Sequence, residues 1–129
     1  MNIDGAKVIV NKSTKDTFVF FKTLENFEQL MPESTQKFEV DGDSFVFGLK
    51  GMPEIRLVLG ESIEYSKVSL AAASSKIAFT LSAHIREVSE SSSEVQLRFE
   101  GDFNPMMAMM VKKPLTSFIN TLTDNLAKI

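Results

Sequence analysis

A chain of 129 residues with 43% hydrophobic and 24% charged residues has the make-up of one folded domain, residues 1–129, large enough to bury a core. Its 14 basic and 17 acidic residues leave a net charge of −3 spread along the chain, which provides no electrostatic footprint for nucleic acid and no acidic tail. The absence of cysteine excludes disulfides, thiolate catalysis and zinc–sulfur sites.

The first residues, "MNIDGAKVIV", carry no basic segment followed by a sustained apolar run, so no secretory signal is expected. No later stretch approaches the roughly 20 apolar residues of a membrane span, and stable membrane insertion is not expected. A cytoplasmic location follows as the default expectation, and the sequon-like Asn11-Lys12-Ser13 is read as unmodified. "AKVIVNKS" alternates weakly and predicts a first strand over about residues 4–12. Ser13 fits a helix N-cap, with Asp16 three residues on as a weak capping box. A helix rich in phenylalanine is predicted to run to about Leu24. Asn26 is read as the cap of a second short helix that Pro32 ends.

From Ser34 to Asp102 the period changes to two. "QKFEVD" and "SFVFGLKG" flank Asp41-Gly42-Asp43, a hairpin turn, and four further alternating segments follow. That predicts six strands in an antiparallel meander, about seven in the sheet with the first. One side of the strands carries Phe45, Phe47, Leu49, Leu57, Leu59, Val68, Leu70 and Ala72, then Ile77, Phe79, Leu81, Ala83 and Ile85, then Val95, Leu97, Phe99 and Phe103. The other carries Thr80, Ser82, His84, Arg86, Glu94, Gln96, Arg98 and Glu100. One face is oily and the other wet, so the sheet needs a cover.

The C-terminal segment supplies that cover. Asn104 is a good N-cap and Pro105 sits at the first helical position, where its missing N–H costs nothing. Met107, Val111, Leu115, Phe118, Leu122 and Leu126 recur every three to four residues, with Lys113, Ser117, Asn120 and Asp124 opposite. Pro114 removes the bond to the Met110 carbonyl and is expected to kink the helix.

Three stretches, "VIVNKSTKDTFVFFKTLENFEQLMP", "GDFNP" and "KKPLTSFINTLTDNL", make the chain resemble the START-like or SRPBCC superfamily with its helix-grip fold. The resemblance is to small bacterial stand-alone members near the carbon-monoxide-dehydrogenase-subunit-G and polyketide-cyclase-like branches. It implies an α+β domain: a curved antiparallel sheet, two short helices after the first strand, and a long kinked C-terminal helix packed on the sheet. It also implies a cavity between sheet and helix for lipids, sterols, quinones or polyketides. Such motifs specify fold rather than activity.

No residue declares a chemistry. His84, the one histidine, is placed by its register on the wet face and read as a surface histidine. Tyr65, the one tyrosine, is read as an anchoring hydroxyl near a strand end. Neither has the sequence partner that an acid–base pair requires. Asp41-Gly42-Asp43 fails the later positions of a calcium loop, and the stretch at residues 48–51 lacks phosphate-loop spacing. "SESSSE" reads as a solvated turn. Four methionines fall within residues 106–110: Met107 lies on the apolar stripe, Met110 at its edge, Met106 and Met109 outside it. Either loops cover the last two, or they form a plastic rim for a guest or partner.

The reading that follows is a non-enzymatic carrier of a small hydrophobic or amphipathic molecule, lipid-, quinone- or polyketide-like, with no cofactor and no metal. The expected lining is Phe47, Leu57, Leu70, Leu81, Leu97, Phe99, Met107, Met110, Val111 and Phe118. Two alternatives stay open: a cyclase- or dehydratase-like enzyme, which needs an ionisable group turned inward, and a co-chaperone-like module that docks a protein partner through Met106 and Met109 or a sheet edge.

Overall fold

The computed structural model describes residues 1–49, 54–73 and 78–129. The elements run β1 (Asn2–Asp4), β2 (Val8–Val10), α1 (Thr14–Lys22), a 3-10 helix (Leu24–Leu30), β3 (Thr35–Asp41), β4 (Ser44–Leu49), β5 (Ile55–Ile63), β6 (Lys67–Ala72), β7 (Phe79–Ser89), β8 (Ser92–Gly101) and α2 (Pro105–Leu126). Among the described residues, eight strands make one curved, open antiparallel sheet in the order β1-β8-β7-β6-β5-β4-β3, with β2 also paired to β8. The six-strand meander and the long terminal helix are therefore those that the alternation and the caps predict. No helix of the described residues is long and apolar enough to cross a membrane.

The single first strand expected over residues 4–12 is instead two short ones, both lying on β8 with Ile3 opposite Phe99 and Ile9 opposite Glu94. Gly5 separates them. Its N–H donates to the Leu97 carbonyl at 2.8 Å, and its carbonyl accepts from Gln96 Nε2 at 3.0 Å. A β-carbon at this position would sit 2.8 Å from Thr123 Oγ1, so glycine lets the sheet edge come up against α2.

Ser13 caps α1 as expected, its Oγ accepting from the Asp16 N–H at 3.1 Å. Asn26 does not cap the 3-10 helix; Thr23 holds that position without a side-chain bond. Asn26 lies inside the helix, donating to the Phe20 carbonyl at 3.0 Å and accepting from Gln29 at 3.2 Å. The chain turns immediately after α1, so the amide is used to tie the two short helices together rather than to start the second.

The hairpin between β3 and β4 is the expected one: Asp41 pairs Ser44, and Gly42 at φ 61 takes the left-handed first position of a two-residue turn. Alternation also assigns the faces correctly. Phe45, Phe47, Leu49, Leu57, Val68, Leu70, Phe79, Leu81, Ala83, Ile85, Val95, Leu97 and Phe99 are buried, while Leu59, Ala72 and Phe103 are half-buried. Ile77 lies outside the described residues, as do Lys50 and Gly51.

Against this face, α2 buries Leu115, Phe118, Ile119, Leu122 and Leu126. Asn125 Nδ2 donates to the Leu30 carbonyl at 2.9 Å, fastening the helix to the end of the 3-10 helix. A row of phenylalanine rings (Phe21, Phe27, Phe45, Phe47, Phe118) crosses the core from α1 to α2 with neighbouring centroids 5.2–6.0 Å apart. Aromatic pairs at such separations add to the burial term, so the row clamps both helices to the sheet.

Candidate functional site

The two halves of α2 behave differently. Beyond Pro114 the apolar stripe is sealed against the sheet and the 3-10 helix. Before it, Met107 and Val111 are only half-buried, and Met106, Met109 and Met110 are 74%, 83% and 68% exposed. Positions 106, 109 and 110 are spaced i, i+3, i+4 and so share one helix face, which here points away from the sheet. Met106 and Met109 are thus not covered by loops; of the two arrangements the sequence allowed, the exposed one is found. The helix runs through Pro114 without interruption, although that residue offers no N–H to the Met110 carbonyl.

Of the ten residues expected to line a ligand, Phe47, Leu57, Leu70, Leu81, Leu97 and Phe99 lie together on the inward sheet face. Phe118 faces them from α2, its ring stacked on Phe47 at 5.2 Å and 5° between planes. Met107 and Val111 stand at the margin, and Met110 is on the outer side of the helix. Phe79 and Phe103 were not among the expected ten. They belong beside them, since Phe99 contacts Phe79 at 4.7 Å and Phe103 at 6.2 Å between centroids. Phe79 shares the inward alternation, so its place was readable from the same signal.

Stability of the loosely held half of α2 depends on its first turn. Asn104 Oδ1 accepts from the Met107 N–H at 2.8 Å, and Pro105 follows at the first position. Asn104→Ala is expected to cost about 1 kcal/mol in urea unfolding. Because the loss falls on a segment with few tertiary contacts, amide exchange should quicken at residues 107–110 while residues 118–126 keep their protection. Uniform acceleration along α2 would contradict a separately held first turn.

The polar content of the interior is small. Among the described residues the buried polar side chains are Thr17, Ser69, Ser82, Ser93 and Thr123, all hydroxyls. Thr17 donates to the Ser13 carbonyl and Ser93 to the Lys12 carbonyl, each at 2.8 Å, so both serve the fold. Thr123 Oγ1 has no partner among the described residues. Nor do these residues hold a group of three or more His, Asp or Glu that could bind a metal ion.

His84 lies on the outward face, as its register required, opposite Lys67 on one side and Gln96 on the other. It does have a partner that the sequence left unseen: Ser82 Oγ is 3.0 Å from its Nε2. Burial pushes the imidazole below its ordinary range, and the nearby Arg98 and Lys67 charges push it further. Tyr65 sits in the turn between β5 and β6 at φ 64, a conformation a bulky residue rarely adopts. Its ring is set edge-on against Phe18 at 5.7 Å, and its hydroxyl makes no hydrogen bond among the described residues.

This architecture has solved counterparts. The chain is similar to norcoclaurine synthase from Thalictrum flavum, solved with dopamine and hydroxybenzaldehyde, at a TM-score of 0.74 and 14% identity over 99% of this chain and 84% of that one. The fold is the helix grip. Two bacterial proteins of similar size match as well. One, from Thermobifida fusca, has a TM-score of 0.72 and 14% identity over 98% of this chain and 90% of that one. The other, from Thermus thermophilus, has 0.69 and 12% over 99% and 95%. No protein-family model matches the chain, and no curated protein does. At such identities the helix-grip likeness carries the fold, not an activity.

Proposed function

We propose that this helix-grip protein binds a small hydrophobic or amphipathic molecule, lipid-, quinone- or polyketide-like, between the sheet and α2, and does no chemistry on it. The observation that carries the reading is the contrast within α2: a sealed C-terminal half and a half-open N-terminal half over an apolar sheet face. Met107 and Val111 stand where a guest would enter, and the flexible Met107 thioether suits a lip that adapts to guests of different shape. Phe47, Leu57, Leu70, Leu81, Leu97, Phe99 and Phe118 are the proposed walls, Met107 and Val111 the lip, and Met110, on the outer side of α2, is no part of either. That the norcoclaurine synthase structure carries two small aromatic molecules is in keeping with such a use of the fold.

Hydroxyls are the buried polar groups among the described residues, and this supports binding over catalysis. A cyclase or dehydratase needs an ionisable group against its substrate. A guest burying about 300 Å² of apolar surface gains on the order of 7 kcal/mol before ordering costs, which corresponds to a dissociation constant of about 10 μM at best. Native mass spectrometry of freshly purified protein, followed by solvent extraction, is expected to show a lipophilic adduct. Nile red should bind saturably in the micromolar range. Bare protein together with non-saturating Nile red fluorescence would sink the proposal.

A further inference from the structure

The outward face of the sheet, opposite the proposed ligand walls, holds a polar cluster that nothing so far has used. Lys67, His84 and Gln96 lie directly across from one another on β6, β7 and β8, and Ser69, Ser82 and Arg98 form the neighbouring row. Residues paired across strands have β-carbons about 4.5–5.5 Å apart, so these side chains share one patch. Ser69 and Ser82 are 6% and 7% exposed and form its floor. Beside it lies a groove of about 320 Å³ lined by Lys7, His84, Ile85, Arg86, Glu94 and Gln96.

The charges here are unevenly matched. Arg86 is taken up by Glu94 at 2.9 Å, and Gln96 by the Gly5 carbonyl. Arg98 Nε stands 3.7 Å from Asp4 Oδ1, too far for a hydrogen bond, and Glu100 lies one row further along the face. Four cations and three carboxylates thus surround the one histidine, and of the cations Lys67 and Lys7 make no ion pair among the described residues.

The geometry points to an oxyanion site on this face, in which Arg98, Lys67, His84 and Ser82 hold a phosphoryl group, free or carried on a small molecule. Donors arriving from two rows and three strands suit an anion with three terminal oxygens better than a flat carboxylate with two. Binding and protonation of His84 are coupled. With no anion, partial burial first and then the Arg98 and Lys67 charges lower the imidazole's proton affinity against the weaker pull of Glu100 and Asp4. A bound anion offsets the Arg98 and Lys67 charges, so the imidazole's proton affinity rises. Its Nε2–H then donates to Ser82 Oγ, and the serine hydroxyl is free to donate to the anion. The titratable groups around it are Lys67 on β6, Arg86 on β7, Glu94, Arg98 and Glu100 on β8, Asp4 on β1 and Lys7 beyond it. Among these His84 is the group whose ordinary titration falls between pH 6 and 8, and because phosphate itself takes up a proton in that range, the expected tightening with falling pH holds for affinity expressed per phosphate dianion.

Because His84 is the only histidine, its imidazole C–H signals report on the site without ambiguity. Inorganic phosphate is titrated at constant ionic strength, with chloride as the balancing ion, and dihexanoylphosphatidic acid below its micelle concentration forms a second arm. The expected result is a saturable shift of the His84 signals at millimolar phosphate or below. Its pKa should rise by at least half a unit at saturation, and affinity expressed per phosphate dianion should be at least about 1.5-fold higher at pH 6 than at pH 8. Arg98→Gln is expected to weaken binding at least tenfold. Lys67→Gln, at the half-buried start of β6, gives the same reading without touching the Asp4 contact. Saturation by phosphate shows that the free anion suffices; saturation by the phosphatidic acid alone assigns the site to a lipid headgroup. A non-saturating response that chloride reproduces, or variants that bind like the parent, overturns the assignment. The site is on the opposite face from the proposed guest cavity, so either can fail without the other.

Discussion

Replacing Phe118 with alanine is expected to lower the unfolding free energy by about 3–5 kcal/mol, measured by urea titration, and the melting temperature by roughly 10–20 °C. The ring is 5% exposed and stacks on Phe47 at 5.2 Å, so it is the last member of the aromatic row and couples α2 to the sheet. Its removal costs the transfer energy of the lost atoms and the cavity they leave. The size of the loss also reads the interior. A cost near the upper end means that neighbouring phenylalanines fill the space and cannot relax into the hole. A cost near the lower end, about 3 kcal/mol, means that Phe118 already borders open volume, as the proposed guest cavity requires. In that case Nile red uptake should rise in the variant. A cost below about 1 kcal/mol would show that this ring does not hold the helix.

Gly5→Ala is expected to cost about 1–3 kcal/mol, although a glycine-to-alanine change at a compatible position normally stabilises by about 0.4–1 kcal/mol through the unfolded state. The new methyl would meet Thr123 Oγ1 at 2.8 Å, Ile119 Cγ2 at 3.2 Å and the Leu97 carbonyl oxygen at 3.3 Å. Ile119 is fully buried and Leu97 contributes backbone, so neither yields cheaply. Thr123 is the way out. Its Oγ1 has no partner among the described residues, so its hydroxyl adds little to stability. Thr123→Ala should therefore be milder than Gly5→Ala, and the double variant should recover part of the loss, with a coupling of at least 0.5 kcal/mol. Additive losses would mean that the helix and the carbonyl, not the hydroxyl, set the clash. Gly101 provides a control: a methyl there meets Phe103 ring atoms at 2.5 and 2.9 Å, but that ring is half-buried and can swing. Gly101→Ala should cost under about 1 kcal/mol on that ground.

Much of the architecture was legible because each signal was local. Alternation from Phe79 to Phe99 assigns the buried face, Asn104 with Pro105 starts α2, and Gly42 turns the first hairpin. What escaped reading depended on long-range proximity. Gly5 breaks the first strand because α2 passes beside it, and nothing near residue 5 reports on Thr123. Asn26 looks like a cap in isolation and becomes a tie only because α1 ends at Lys22. Periodicity separated Met106 and Met109 from the apolar stripe without saying whether a loop would reach them. The same limit applies to the outward cluster. Alternation placed Ser82, His84 and Arg98 on the wet side, but cross-strand register, which brings Lys67 opposite His84, is invisible within one strand.

The pairing of β1 and β2 with β8 joins residues 2–10 to residues 93–100. On a ribosome adding about 5–20 residues per second, the first two strands are finished several seconds before their partner exists. Until then β7 is a bare edge, with Phe79, Leu81, Ala83 and Ile85 on a face that α2 has yet to reach. Closing so long a loop is slow, and a chain arrested before residue 92 would expose a ready template for aggregation. The segment from β8 through α2 is therefore the clasp of the fold.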